Sequence, residues 1–242
     1  MEIRRFFVNP QDVCANGEIV VSGDEFLHMT KVLRYKTGYK AIVCANDGIE
    51  RYCTIRQIDR DKAILSVEDE KVQDKKRVHV TLFAGLLKNN KLDFAIQKAV
   101  ELGIDEVRPF LSSNTAETKF AKDRADKIAL EAAKQCGSAY LTKVGELCDF
   151  QDVVKSLSDF DKVLFAYEGE KKNRIKDCDL SGKKIALIVG AEGGFTPEEA
   201  QFAKESGAQI VTLGRRILRA ETASIVSLTL TLDALHELDY EH

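Results

Sequence analysis

Two glycine-rich, charged segments in the last quarter of the chain carry the residue types that a ligand site needs. Residues 190–195 read GAEGGF, and residues 214–223 read GRRILRAETA. Glycines let the backbone approach a ligand closely and expose its N–H and C=O groups. The Ile-Leu pair between arginines suits a pocket for an apolar or aromatic ring, with cations directed to an anionic substrate. Taken singly, the first segment is as typical of a tight structural turn, and the second of a basic loop before a helix.

Other kinds of ligand chemistry find little support in the sequence. Neither segment is the G-x-G-x-x-G fingerprint or a P-loop, so a nucleotide-binding oxidoreductase is disfavoured. The four histidines and six cysteines are scattered, without a C-x-x-C pair or zinc-ligand spacing, so we expect no metal site. We expect the cysteines to be buried or idle thiols rather than disulfides.

Three predicted strands position the candidate residues. Apolar or alternating runs predict strands over residues 162–166, 184–189 and 209–213; each ends in a loop of interest, and the second and third run into the two candidate segments. In an open α/β sheet, ligands bind beyond the carboxyl ends of the strands. The strand ends therefore predict one shared site.

The remaining pattern of the second half is typical of an α/β fold. Further strands are predicted over residues 79–87 and 106–111, and helices over residues 91–102, 122–136, 197–206 and 222–238. Thr196 is the expected N-cap of the helix over residues 197–206, with Pro197 at its first position. This alternation predicts a mostly parallel sheet with helices on both faces. The last helix is apolar on most sides, so we expect it to be buried in the core or against another subunit.

The first seventy residues are rich in short predicted strands. These strands cover residues 4–8, 18–21, 40–44, 52–58 and 62–67, and a helix covers residues 25–33. The pattern predicts a compact, barrel-like module. The polar run over residues 68–77 (EDEKVQDKKR) has little to bury and predicts a linker, or else a strand end followed by an exposed loop, and either would be a domain boundary. We therefore expect domains over residues 1–72 and 73–242.

Composition limits the classes of function. No run of about 18 apolar residues exists, which argues against a membrane span, and the first residues do not resemble a secretory signal; we expect a cytoplasmic protein. The net charge of −3 is unusual for a nucleic-acid-binding protein. However, basic residues crowd the first forty positions, where they form either an ordinary solvated surface or an RNA-binding patch.

The two C-terminal segments together resemble those of a known family. The pattern I-V-G-x-E-G-G-F over residues 188–195, followed by L-G-x-R-I-L-R-x-E-T-A over residues 213–223, is similar to the RsmE family of 16S ribosomal RNA uridine-N3 methyltransferases. These enzymes belong to the SPOUT (trefoil-knotted) superfamily. The resemblance continues in R-F-F at residues 5–7, in H-x-x-K-V-L-R at residues 28–34 and in the helix over residues 91–102, and it covers nearly the whole chain.

This resemblance implies a fold, a cofactor and a substrate. The implied fold is a SPOUT-type parallel sheet with a C-terminal trefoil knot, preceded by a small PUA-like β-barrel domain that binds RNA. The implied cofactor is S-adenosylmethionine, and the implied substrate is N3 of a uridine in 16S ribosomal RNA within the small ribosomal subunit. Family members are homodimers, with the cofactor in the knot near the subunit interface.

The resemblance also assigns candidate roles to individual residues. Arg219 would stabilise the uridine anion or its flanking phosphate. Glu192 is a second catalytic candidate, although it could simply brace its loop, and Glu221 is expected to act at the start of the last helix. The cofactor would contact Phe165, Ala166, Tyr167, Gly190, Glu192, Gly193, Gly194, Leu213, Gly214, Ile217 and Leu218. RNA phosphates would contact Arg4, Arg5, His28, Lys31 and Arg34.

Three positions depart from the family pattern. Ala191 stands where proline is usual, while Asn114 and Ser138 stand where arginines are expected. Two alternative functions stay open for this reason. One is a SPOUT methyltransferase for a different RNA, and the other is a non-catalytic RNA-binding or ribosome-assembly factor with the same fold.

Overall fold

The computed structural model describes residues 3–74, 77–88 and 90–239. The chain divides into two compact units, Met1–Lys75 with Ala133–Leu141 and Lys76–Ala132 with Thr142–His242. The domain limits expected from the sequence, 1–72 and 73–242, stay a prediction. Each unit is described below by itself.

The first unit is built on a five-stranded sheet. Its strands are β1 (Arg5–Phe7), β2 (Glu18–Ser22), β3 (Lys40–Cys44), β4 (Ile49–Ile58) and β5 (Lys62–Val72), in the order β1-β3-β4-β5-β2. β1 pairs with β3 in parallel, and the other pairs are antiparallel. The alternation expected for a half-buried strand is clear in β2, where Ile19 and Val21 are buried and Glu18 and Ser22 are exposed. The predicted β-rich module is confirmed.

The helix of this unit has an irregular second half. α1 (Gly23–Leu27) continues into a π-helical turn over His28–Val32, so the predicted helix over residues 25–33 is confirmed with an earlier start. Phe26 and Met29 from this segment pack into the core of the sheet. Lys31 and Val32 remain exposed on the other side.

The predicted linker over residues 68–77 is wrong in its first half. β5 extends to Val72, and its last residues pair with Ile49–Tyr52 of β4. A strand extension needs only backbone partners, so charged side chains can occupy it while pointing to solvent. Residues 75 and 76 of the predicted linker lie outside the described residues.

A buried ion pair joins β1 to the start of β4. The Arg5 guanidinium contacts Glu50 Oε1 at 2.6 Å, and the two side chains are only 10% and 9% exposed. Glu50 also accepts hydrogen bonds from Gln73 Nε2 at 2.7 Å and from the Tyr52 hydroxyl at 3.1 Å. Arg5 is thus paired inside the unit, and its expected contact with RNA stays a prediction.

The second unit contains a parallel sheet in the order β12-β10-β11-β6-β7-β8, with β9 also on β7. Its strands are β6 (His79–Gly85), β7 (Glu106–Leu111), β8 (Lys143–Val144), β9 (Cys148–Asp149), β10 (Lys162–Ala166), β11 (Lys184–Val189) and β12 (Gln209–Val211). Its helices are α2 (Lys91–Glu101), α3 (Lys122–Cys136, whose last four residues belong to the first unit), α4 (Phe150–Lys155), α5 (Pro197–Glu205) and α6 (Ala220–Ala234). The predicted α/β parallel sheet is confirmed. The short elements β8, β9 and α4 were not predicted, because two to six residues are too few to show a period.

The last helix is not buried on all sides within the chain, so burial in the core alone is wrong, and burial against another subunit stays a prediction. α6 begins two residues earlier and ends four residues earlier than expected. Ser224, Ser227, Leu228 and Thr231 are buried, whereas Leu230 is 43% exposed. The chain thus uses small and hydroxyl side chains on the packed side of α6 and leaves part of its apolar surface uncovered.

The six cysteines are all free thiols. Cys44 and Cys53 are buried, and burial raises the pKa of Cys44 to about 11 and that of Cys53 to about 12. Cys14 and Cys136 are exposed. Among the helices of the described residues, none is long and apolar enough to cross a bilayer.

Glu50→Ala should strongly destabilise the first unit. The substitution leaves the Arg5 charge buried without its carboxylate, which costs about 3–5 kcal/mol in comparable cases. Glu50→Gln keeps an acceptor oxygen and should cost less. Urea unfolding of the full chain, followed by circular dichroism, measures both. Lys155→Ala, which breaks an exposed pair with Asp152, is the control and should leave the free energy of unfolding nearly unchanged. An equally small loss of stability for Glu50→Ala would show that the buried ion pair does not hold the unit together.

Candidate functional site

The carboxyl ends of β10, β11 and β12 converge on one cavity. β10 lies between β11 and β12, and all three are parallel, so the segments that follow them emerge at the same edge of the sheet. The cavity has a volume of about 370 Å³. Its wall is formed by Ala166, Tyr167, Glu168 and Lys171, by residues 189–195, by residues 212–220 and by Ala223. This is the position at which open α/β sheets bind ligands.

Close backbone packing fixes the glycine loop, residues 190–194. A Cβ placed on Gly85, at the end of β6, would lie 2.2 Å from the backbone nitrogen of Ala191 and 2.6 Å from the carbonyl carbon of Gly190. A Cβ on Gly193 would lie 2.5 Å from the Asn114 carbonyl oxygen. Gly194 has φ +64°, which favours glycine. Only glycines allow the loop to lie this close to its neighbours.

Phe195 holds the far end of the glycine loop in the core. Its ring lies 4.2 Å from the ring of Phe165 and stacks on Phe110 at 6.1 Å between centroids. Phe165 is fully buried in this aromatic cluster and does not line the cavity. β10 thus presents Ala166 and Tyr167 to the cavity, while the Phe165 ring packs against Phe195, and the expected contact of Phe165 with the cofactor stays a prediction.

The start of α5 ties the glycine loop to a second loop. Thr196 caps α5, and the Glu199 carboxylate accepts hydrogen bonds from the backbone N–H of Thr196 at 2.9 Å and of Ser113 at 2.8 Å. Next to Ser113, Asn114 Nδ2 donates to the Gly193 carbonyl at 3.1 Å. The T-P-E-E sequence indicated the cap, but no sequence signal indicated that Glu199 and Asn114 support the glycine loop.

Glu192 is held in an ion pair. Its Oε1 accepts from Lys91 Nζ at 2.9 Å and from the backbone N–H of Lys88 at 3.2 Å. Burial would raise the pKa of Glu192, but the hydrogen bonds from Lys91 and from backbone N–H groups outweigh it and lower the pKa. A general base works best when its pKa lies near the working pH. The geometry therefore favours the bracing role of Glu192 over a role as base.

Arginines form the rim of the cavity. Arg215, Arg216 and Arg219 all line it, and within the described residues none of their guanidinium groups has a hydrogen bond or ion pair. Arg219 precedes α6 in an extended conformation. Leu213, Gly214, Ile217 and Leu218 line the cavity as well, with Ile217 88% exposed and Leu213 and Leu218 half-buried. The predicted catalytic and cofactor-binding residues other than Phe165 thus lie around one cavity, and their roles stay predictions.

Family models cover most of both units. A model of the RNA methyltransferase domain matches residues 74–232, and a model of the RNA methyltransferase PUA domain matches residues 21–68. Ribosomal RNA small subunit methyltransferase E of Bacillus subtilis (strain 168) is 30% identical, over 94% of this chain and 95% of the relative. The chain belongs to this methyltransferase family.

Two further comparisons agree with the assignment. Ribosomal RNA small subunit methyltransferase E of Mesomycoplasma hyopneumoniae (strain 232) is 32% identical, over 93% of this chain and 97% of the relative. The structure of Ribosomal RNA small subunit methyltransferase E from Neisseria gonorrhoeae was solved bound to S-adenosyl methionine. It superposes on this chain with a TM-score of 0.82 at 24% identity, over 96% of this chain and 98% of that one. The two chains therefore share the fold. The resemblance to the RsmE family is confirmed, whereas the trefoil knot stays a prediction.

The expected RNA contacts of the methyltransferase lie in its first unit. His28 and Lys31 belong to the π-helical turn, and Arg34 follows it with φ +56°. Lys31, Arg34 and Arg4 are exposed, whereas the His28 ring is half-buried with its edge near Phe6, 6.3 Å between ring centroids. His28 is thus partly a packing residue. The described residues contain no group of three or more His, Cys, Asp or Glu that could hold a metal.

Gly85→Ala should displace the glycine loop of the methyltransferase, because the added Cβ would collide with backbone rather than with a movable side chain. We expect the affinity for S-adenosylmethionine, the cofactor implied by the resemblance, to fall by about 10-fold or more. Calorimetric titration measures the affinity. Gly145→Ala is the control, since its Cβ would lie 3.1 Å from Arg108 Cγ, in a flexible side chain, and no closer than 3.6 Å to the backbone. Unchanged affinity in Gly85→Ala would refute the steric account.

Lys91→Met and Glu192→Gln should cause similar losses of methyl transfer, because both break one ion pair. We expect about 10-fold in kcat/KM for each, and little further loss in the double variant. A catalytic base would behave differently: Glu192→Gln alone would then lose about 100-fold or more, while Lys91→Met would not. Steady-state rates of the two single variants and the double variant separate these cases.

Proposed function

We propose that the protein transfers a methyl group from S-adenosylmethionine to N3 of a uridine in small-subunit (16S) ribosomal RNA. The observation that carries the proposal is the cavity at the ends of β10, β11 and β12, walled by the glycine loop and bordered by Arg219. Membership of the ribosomal RNA small subunit methyltransferase E family supports the reaction. Because ribosomal RNA is its substrate, we infer that the enzyme acts in the cytoplasm.

The cavity fits the cofactor in size and chemistry. Its volume of about 370 Å³ lies within the usual range of small-molecule sites, about 300–1,000 Å³. Gly190, Gly193 and Gly194 present backbone groups without Cβ atoms in the way, while Leu213 and Leu218 offer apolar surface to an adenine ring. When bound, S-adenosylmethionine supplies an electrophilic methyl group on a sulfonium.

The chain's own contribution is mainly orientation and charge. Transfer forms the bond between N3 and the methyl carbon, breaks the bond between that carbon and sulfur, and releases the N3 proton. Holding two reactants in line lowers the barrier by about 7–11 kcal/mol in favourable cases. Arg219 has no partner in the described residues, so its guanidinium is available to stabilise the negative charge that develops on the uracil ring.

The RNA must also be held and opened. Exposing a stacked base costs a few kcal/mol, and contacts to the flanking phosphates supply binding energy. We assign these contacts to Arg4, Lys31 and Arg34, with His28 beside them. An assembled small subunit would present the uridine in a fixed geometry, so we propose the subunit rather than free RNA as the substrate.

We also propose that the enzyme acts as a homodimer. α6 is apolar on most sides, yet its Leu230 is 43% exposed, and Phe94 on α2 is 45% exposed. α2 and α6 pack against each other. A second copy covering this pair of helices would remove that apolar surface from water.

Arg219→Ala should reduce kcat by about 100-fold or more, because one preorganised group that stabilises developing charge is worth that much. The assay is transfer of label from S-adenosylmethionine to small subunits lacking their native modification, with protein-free 16S RNA alongside. Arg174→Ala, which breaks an exposed pair with Asp177 away from the cavity wall, is the control.

Label at a uridine N3 is the expected outcome, and stronger labelling of subunits than of free RNA would support the assembled substrate. If folded protein binds the cofactor but labels neither substrate, the proposal fails. That result would favour a different RNA target or a binding-only protein.

A further inference from the structure

Glu168 places a carboxylate without a partner on the wall of the cofactor cavity. It follows the end of β10 by two residues and lines the cavity together with Tyr167. Within the described residues its carboxylate accepts no hydrogen bond and forms no ion pair. Glu192, the other acidic residue of the wall, is already paired with Lys91. Glu168 is therefore the carboxylate of the described wall whose charge is not neutralised by a neighbour.

The Glu168 carboxylate lies against the glycine loop at Gly194. A Cβ on Gly194 would lie 2.7 Å from Glu168 Oε1 and 3.1 Å from Oε2. The carboxylate thus occupies the space that any side chain at position 194 would fill. Within the described residues Lys171 forms no ion pair with this carboxylate, and its Nζ donates instead to the backbone carbonyl of Glu168 at 2.6 Å. The negative charge stands next to the glycine loop that walls the cofactor cavity.

We propose that Glu168 recognises the positive charge of the sulfonium cofactor and makes the cavity prefer S-adenosylmethionine to its product, S-adenosylhomocysteine. The inference rests on the proposed function. The two molecules differ by one methyl group and one positive charge, and a wall of backbone and apolar side chains distinguishes them only by the methyl. The exposed carboxylate of Glu168 on the cavity wall distinguishes them by Coulomb attraction.

A preference for S-adenosylmethionine over its product would assist turnover, because the reaction removes the positive charge from the cofactor. Transfer turns a cationic cofactor into a neutral thioether, and the positive charge leaves as the proton released from uridine N3. The attraction to Glu168 is therefore present while the methyl donor is held and absent once the methyl has moved. Product release becomes easier without any movement of the protein.

The test is calorimetric titration of both ligands against wild type, Glu168→Gln, Glu168→Asp and Glu205→Gln. In Glu168→Gln we expect the Kd of S-adenosylmethionine to rise by about 3- to 5-fold, as for a partly exposed charge pair, and that of S-adenosylhomocysteine to change by less than about 2-fold. Glu168→Asp keeps the charge and should keep most of the preference. Glu205→Gln removes an exposed carboxylate that does not line the cavity and should change neither Kd. The difference between the ligands should shrink as salt is added.

Each contrary result has a distinct meaning. Equal weakening of both ligands in Glu168→Gln would overturn charge recognition, because it would show that Glu168 contacts a part of the molecule that the two ligands share. No change in either Kd would also overturn it, and a fall in kcat without a change in Kd would point instead to proton transfer. If the wild-type protein binds neither ligand, the proposed function itself fails.

Discussion

The close approach of the glycine loop to the end of β6 is the constraint on which the site depends. Gly85 and Ala191 leave no room between them for a single Cβ, so the sheet itself dictates the path of residues 190–194. Phe195 then fixes the other end of the loop in a cluster of phenylalanine rings. Since a packed interior resists displacement, the backbone groups that face the cavity are set by the fold rather than by the ligand.

Hydrogen bonds and an ion pair on several sides of the glycine loop reinforce this steric constraint. Lys91 holds Glu192, Asn114 holds the Gly193 carbonyl, and Glu199 joins the neighbouring loop to the start of α5. None of these side chains needs to touch the cofactor to influence its binding. A loop held from several sides loses little conformational freedom when the ligand arrives, which favours affinity and alignment of the reacting atoms.

The sequence predicted the parts of the site that depend on local pattern. The parallel strands, the glycine loop and the Thr196 cap all follow from hydrophobic period and turn chemistry within about ten residues. No sequence pattern indicated the contacts that depend on a partner distant along the chain. Arg5 finds Glu50, forty-five positions away, and Phe165 is withdrawn into an aromatic cluster with Phe110 and Phe195. β5 continues through charged residues because β4 supplies its hydrogen bonds.

The departures from the family pattern can be interpreted in the same physical terms. Asn114 and Ser138 each make internal hydrogen bonds, Asn114 to the glycine loop and Ser138 to the Tyr140 carbonyl. Both positions therefore have structural roles without an arginine, and the absent charges bear on RNA affinity rather than on the fold. The net charge of −3 does not exclude RNA binding, because a net charge does not describe how charges are distributed: Glu106 is paired with Arg108 and Lys143 in place, whereas the arginines of the cavity rim have no such partners within the described residues. What an approaching RNA meets at the cavity is the local field of Arg215, Arg216 and Arg219, and that field decides the encounter.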